Sequence, residues 1–171
     1  MQSVIQRVRE AQLHIVADGE SEITESNTHQ ASKKLISPGT PFSTIGQGIL
    51  ALVAIEKGDT KDNADKLLTT LLNYRIFADE LQRMNRSLLD IEGDLMLVSQ
   101  FTVAADTSKG SKPSFSAAAP PDEAEFLFDY LVGRADDLRQ ESSFGLAQGK
   151  FAANMRISLV NDGPVTFIIK R

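Results

Sequence analysis

The chain has 171 residues, of which 42% are hydrophobic and 24% charged, ordinary proportions for one folded domain. It contains no cysteine, which excludes a thiolate nucleophile, a zinc–cysteine site and a disulfide framework. Its formal charge is −5, from 18 basic and 23 acidic residues. That argues against sequence-independent coating of nucleic acid, yet leaves room for a local basic patch gripping a small part of an RNA.

Residues 2–17 read as two strands, because Val4, Gln6 and Val8 alternate with Ile5, Arg7 and Arg9, and Leu13 and Ile15 continue the pattern. Arg7, Arg9 and Glu10 precede any long apolar run, so no signal peptide is visible, and the expected location is the cytosol. Asp18-Gly19 is a turn signal. Residues 20–43 are rich in Ser, Thr, Glu, Asn and Lys and read as an exposed loop, within which Ile23, Leu35, Ile36 and Phe42 could support a short strand.

Gly46-Gln47-Gly48 opens a continuous apolar strand over residues 49–55, a run that predicts burial on both faces and is too short to span a bilayer. A turn at Lys57-Gly58-Asp59 leads to Thr60 as helix cap, after which Ala64, Leu67, Leu68, Leu71 and Leu72 recur at helical spacing. Residues 90–94 read as a turn and residues 95–100 as another buried strand. Pro120-Pro121-Asp122-Glu123 starts a second helix, with proline at its first position and acids in its first turn. Leu127, Tyr130, Leu131, Arg134 and Leu138 share one side of it. Residues 142–150 read as a glycine-containing connection. Residues 151–160 and 165–169 read as two strands separated by Asn161-Asp162-Gly163-Pro164. The order fits one mixed α/β domain.

Some chemistry is absent. No glycine-rich phosphate loop, nucleophile elbow or metal-ligand spacing occurs, and the two histidines, His14 and His29, fall in a strand pattern and in the polar loop. Three segments remain. Val98-Ser99-Gln100-Phe101-Thr102 ends a buried strand, where backbone N–H groups become free; it reads equally as a hydroxyl-capped turn. Asn161-Asp162-Gly163-Pro164-Val165-Thr166 reads as a turn, or as fixed backbone groups able to inspect the substituents of an α-carbon. Lys109-Gly110-Ser111-Lys112-Pro113-Ser114-Phe115 reads as a solvated basic loop, or as lysines beside an aromatic that meet a phosphate and a stacked base.

Together and in this order, these segments resemble the D-aminoacyl-tRNA deacylase family. Its hallmarks Ser-Gln-Phe-Thr-Leu and Asn-x-Gly-Pro-x-Thr stand here as residues 99–103, with Val103 for leucine, and as residues 161–166. Ile5-Gln6-Arg7-Val8, Glu56-Lys57-Gly58-Asp59, Arg75-Ile76-Phe77, Met84-Asn85, Pro113-Ser114-Phe115, Ala119-Pro120-Pro121 and Ser158-Leu159-Val160 also match. Two departures are a polar insertion at about residues 20–43, and Ser111-Lys112 where the family usually carries two arginines.

The resemblance implies a single α/β domain over residues 1–171, built as a mixed sheet or partial barrel with two main helices. It implies a homodimeric hydrolase of D-aminoacyl-tRNA and glycyl-tRNA, without cofactor or metal, with its active sites at the subunit interface. The Gly163-Pro164 bond is expected to be cis and to project into the partner's pocket, where it rejects L-amino acids. Ser99, Gln100, Phe101 and Thr102 are the expected catalytic segment. Gly163, Pro164, Thr166, Asn161, Met155, Ala118 and Ala119 are expected to bind substrate and select its hand. Lys109, Lys112, Lys150 and Arg156 are expected phosphate contacts for the tRNA acceptor end. A non-catalytic RNA-end or peptide-binding module, an esterase of free D-amino-acid esters and a purely structural dimer are the alternatives.

Overall fold

The computed structural model describes residues 1–16, 40–108 and 110–171. Expectations on residues 17–39, including His29 and most of the polar insertion, and on Lys109 lie outside them. Eight strands occur among the described residues: β1 (Gln2–Ile15), β2 (Ser43–Ile45), β3 (Gly48–Ala54), β4 (Phe77–Ala78), β5 (Met84–Arg86), β6 (Asp94–Ser99), β7 (Gly145–Gln148) and β8 (Met155–Lys170). The helices are α1 (Lys61–Asn73) and α2 (Pro121–Glu141). No described helix is long and apolar enough to cross a membrane.

The main sheet runs β2-β1-β3-β6-β7, with β8 on the other side of β1. Neighbours along β1 are antiparallel, whereas β3, β6 and β7 are parallel to one another. The Ser43 hydroxyl donates to the carbonyl of Gln148 at 2.8 Å and so stitches β2 to β7. The two ends of the strand order meet there, and the sheet curls into a nearly closed barrel, the partial barrel the resemblance implied.

The apolar run of β3 explains itself in this geometry. Ile49, Ala51 and Val53 face the core shared with α1 and α2. Leu50 and the partly buried Leu52 face a second core inside the curl, with Val8, Leu13, Met96 and Val98. Both faces of β3 are covered, as its lack of polar alternation predicts. The helix α1 buries Ala64, Leu67, Leu68, Leu71 and Leu72, the stripe read from the sequence. Its start is fixed by Thr60, whose N–H donates to Asn63 Oδ1 at 2.8 Å. The buried stripe of α2 is Leu127, Phe128, Leu131 and Ala135. The expected Tyr130 and Arg134 stand at its margin, where both hydrogen-bond to Asp65 of α1.

Three readings are corrected. Residues 2–15 form one strand, because β8 pairs with β1 along its whole length. Residues 155–170 likewise form one strand, into which the expected turn at residues 161–164 is absorbed. The connection at residues 142–150 contains β7, held by parallel pairing to β6. The expected turn at residues 90–94 is a short 3-10 turn, Leu89–Ile91, closed by Glu92 in the left-handed conformation.

Candidate active site

Strands β3 and β6 are parallel and end side by side, so their C-terminal ends free backbone groups at one rim of the sheet. A cleft of about 570 Å³ opens there. Val53, Val98, Ser99, Gln100 and Phe101 form one wall. The chain is anchored as it leaves β6 by the Gln100 N–H, which donates to the carbonyl of Val53 at 2.7 Å. It then enters a 3-10 turn, Phe101–Ala104. The first amides of that turn, at Phe101 and Thr102, have no acceptor within it.

Ala118 and Ala119 form the facing wall. They are held like an added strand: the Ala119 N–H donates to Ile55 O at 3.0 Å, and the Lys57 N–H to Ala117 O at 2.9 Å. The third wall is the segment entering β8, with Phe151, Ala152, Ala153, Asn154 and Met155. Ala152 sits at φ 56°, a left-handed conformation that favours glycine, in a turn where the Ala153 N–H reaches Lys150 O at 3.3 Å.

The polar side chains lining this cleft are Ser99, Gln100 and Asn154. None of them titrates, and among the described residues no histidine, lysine or carboxylate lines it. No cluster of described residues could hold a metal ion. Thr102 stands beside the wall rather than in it. Gln100 Nε2 donates to the Thr102 hydroxyl at 2.7 Å, which occupies an oxygen lone pair and leaves the hydroxyl proton as a donor. Such an oxygen, with no base among the described lining residues to remove its proton, is poorly activated for attack.

Asn161, Gly163, Pro164 and Thr166 lie elsewhere, in and on either side of a bulge on β8. Pairing with β1 jumps from Gln6↔Thr166 to Val8↔Asn161, so residues 162–165 stand opposite Arg7 alone. Length that the ladder cannot use is pushed outward, and Gly163 and Pro164 are exposed. The bulge is firmly tied. Asn161 Oδ1 accepts the Val165 N–H at 2.8 Å. Arg7 Nε donates to Asp162 O at 2.8 Å, and Arg7 Nη1 to Ile76 O at 2.5 Å. Asp162 also pairs with Arg9 at 3.1 Å. The Gly163-Pro164 peptide is cis, and Gly163 takes φ 148°. Neither residue lines the cleft of its own chain.

The structure therefore brings together residues 99–101, Ala118, Ala119 and Met155, and leaves the bulge apart from them. Lys150 and Arg156 are exposed next to the third wall, and Lys112 is exposed on the loop after the 3-10 turn. The sequence reading took only Met155 from the third wall and missed residues 151–154. Gly149-Lys150, a break between two apolar stretches, was the one signal there.

A family model described as D-Tyr-tRNA(Tyr) deacylase matches residues 4–170. A D-aminoacyl-tRNA deacylase of Stutzerimonas stutzeri (strain A1501) is 47% identical over 170 residues, covering 99% of each chain. One from Pseudomonas entomophila (strain L48) is 55% identical over 132 residues, covering 77% of this chain and 88% of its own. Among solved structures, the c-Myc DNA Unwinding Element Binding Protein superposes with a TM-score of 0.79 at 30% identity, covering 100% of this chain and 99% of the other. A probable eukaryotic D-amino acid tRNA deacylase superposes at 0.70 with 14% identity, covering 99% and 98%, which speaks for the fold alone.

Proposed function

The chain belongs to the D-Tyr-tRNA(Tyr) deacylase family, and from that premise we propose that it is a homodimeric D-aminoacyl-tRNA deacylase that also clears glycyl-tRNA. It hydrolyses the ester between the amino acid and the terminal ribose, releasing free tRNA. The observation that carries this reading is the uncharged cleft at the ends of β3 and β6, with residues 99–101 in its wall.

An aminoacyl ester is already activated, so positioning its carbonyl beside a water supplies much of the acceleration. The amides of Phe101 and Thr102 act as oxyanion donors, each good for about 3 kcal/mol when well placed. With no titratable side chain among the described lining residues, the substrate's own 2′-OH assists the water, and Thr102 orients the wall through Gln100. Replacing Thr102 by alanine is expected to lower kcat by no more than about tenfold, the scale of one lost neutral hydrogen bond. Complete loss of turnover in a folded, tRNA-binding variant would make Thr102 the nucleophile instead.

Chirality is read by exclusion. The cleft of one protomer lacks a wall toward the substrate's α-carbon, and the twin's Gly163-Pro164 bulge supplies it. Two features support a twin on this side. Among the described strands β8 pairs with β1 alone, and its Val160 and Ile168 side chains are 50% and 67% exposed. A wall of backbone admits any side chain but only one hand, or none at all as in glycine. Comparing single-turnover hydrolysis of D-Tyr-tRNA and L-Tyr-tRNA tests this, with the D-substrate expected to be faster by at least about a thousandfold, or about 4 kcal/mol. Comparable rates for the two hands would end the proposal.

A further inference from the structure

Two exposed aromatic rings stand at the mouth of the cleft. Phe101 is 58% and Phe115 40% exposed. They meet edge to face, with ring centres 5.0 Å apart and planes at 66°. This geometry leaves ring surface uncovered on the solvent side.

Their placement joins two regions. Phe101 belongs to the cleft wall. Phe115 stands at the foot of a hairpin closed by reciprocal amide bonds, Asp106 N–H to Ser114 O at 2.8 Å and Ser114 N–H to Asp106 O at 2.9 Å. Within that hairpin Lys112 is exposed. The Asp106 carboxylate at the base of the hairpin accepts the Ser108 N–H at 2.9 Å through its Oδ1. The Ser108 hydroxyl and that amide hold the Asp106 carboxyl below the usual carboxylate range, so it stays ionised. From Phe115 the chain runs directly into the Ala118–Ala119 wall, through an Ala118 N–H to Phe115 O bond at 3.1 Å. The path from basic hairpin through aromatic pair to cleft is thus continuous and short.

We propose that Phe101 and Phe115 form a stacking platform for the base of the nucleotide preceding the terminal adenosine, with Lys112 meeting its phosphate. The proposal rests on the deacylase reading and extends it to recognition of a single-stranded RNA end. Base–aromatic stacking is tolerant of sequence, which suits an invariant tail carried by many tRNAs. The surroundings favour a nucleic acid over an apolar protein partner. Ser108, Ser111, Ser114 and Ser116 flank Phe115 in sequence, and of the hairpin's described charges Lys112 is the cation while the Asp106 carboxylate accepts from the hairpin's own backbone.

The test compares two substrates: full-length D-Tyr-tRNA and the D-tyrosyl ester of adenosine, which lacks the preceding nucleotide. For Phe115→Ala, KM on the tRNA is expected to rise about tenfold or more, and the rise on the nucleoside ester to be at least about fivefold smaller. Phe115→Tyr, which keeps the ring, is expected to stay within about twofold of the parent on tRNA. Lys112→Ala is expected to weaken tRNA binding and flatten its salt dependence by roughly one counterion. Equal losses on both substrates, or none on tRNA, would overturn the platform. So would dissociation of the Phe115→Ala protein into monomers, which would make the ring pair a protein interface. A parent protein inert on both substrates would instead refute the deacylase reading.

Discussion

Replacing Gly163 by alanine is expected to lower kcat/KM on D-Tyr-tRNA by at least about a hundredfold while leaving the protein folded. At φ 148° the backbone is open to glycine and strained for any L-residue. Space is equally restrictive. A Cβ built on Gly163 falls 2.6 Å from Val165 Cγ2 and 2.8 Å from the Val165 nitrogen. The second contact is with backbone already fixed by Asn161 Oδ1, so relief requires the bulge itself to move. Strain of this kind costs about 1–3 kcal/mol. Gly163 and Pro164 are exposed and outside both cores, and of the bulge Val165 alone packs against one, so that cost falls on the bulge's shape more than on the sheet. A wall displaced by about 1 Å no longer sits against an α-carbon, and misplacement on that scale is worth about 10²-fold in rate. Steady-state kinetics beside a thermal melt separates the two effects. Near-parental hydrolysis of D-Tyr-tRNA would show that the bulge takes no part in the reaction.

Much of this site was legible because its determinants are local. Ser99 and Gln100 end a run whose burial on both faces could be read from the absence of polar alternation, and a strand end is where amides are released. Ala118 and Ala119 lie just before a helix start marked by two prolines, so their segment had to pass the end of the sheet. The helix α1 was equally plain, since its cap and its leucine stripe are contiguous. The missing parts depend on partners distant in sequence. Asn161-Asp162-Gly163-Pro164 carries every mark of a turn that ends one strand and begins another. It stays within β8 because β1 continues beside it and Arg7 binds the surplus residues down. The strand β7 has little strand character of its own, with glycine and alanine among its four residues, and exists by its register against β6. Residues 151–154 line the cleft only because the chain must turn there, and Ala152 takes a conformation its residue type does not advertise.

Arg7 is where these non-local demands converge, and Arg7→Leu is expected to cost both stability and chirality. The arginine is 13% exposed and occupies the single β1 position facing the four-residue bulge. Its guanidinium spans two elements, reaching Asp162 O at 2.8 Å and Ile76 O at 2.5 Å, with the Asp162 carboxylate 3.4 Å from Nε. Leucine matches the aliphatic stem and none of this. It leaves two partly buried carbonyls without donors, and leaves Asp162 only Arg9, whose side chain is 64% exposed and well screened. The loss is about 2 kcal/mol, which for a domain of this length lowers Tm by roughly 4–8 °C. Lysine keeps the charge but cannot donate in two fixed directions, so Arg7→Lys should fall between parent and Arg7→Leu. The functional consequence follows from the same bonds. If Gly163 and Pro164 are the proposed chiral wall, a bulge untied at Asp162 no longer holds that wall in place, and the ratio of D- to L-Tyr-tRNA hydrolysis should collapse by about tenfold or more. A purely structural arginine would lower Tm and leave that ratio untouched, and the ratio is therefore the measurement that decides its role.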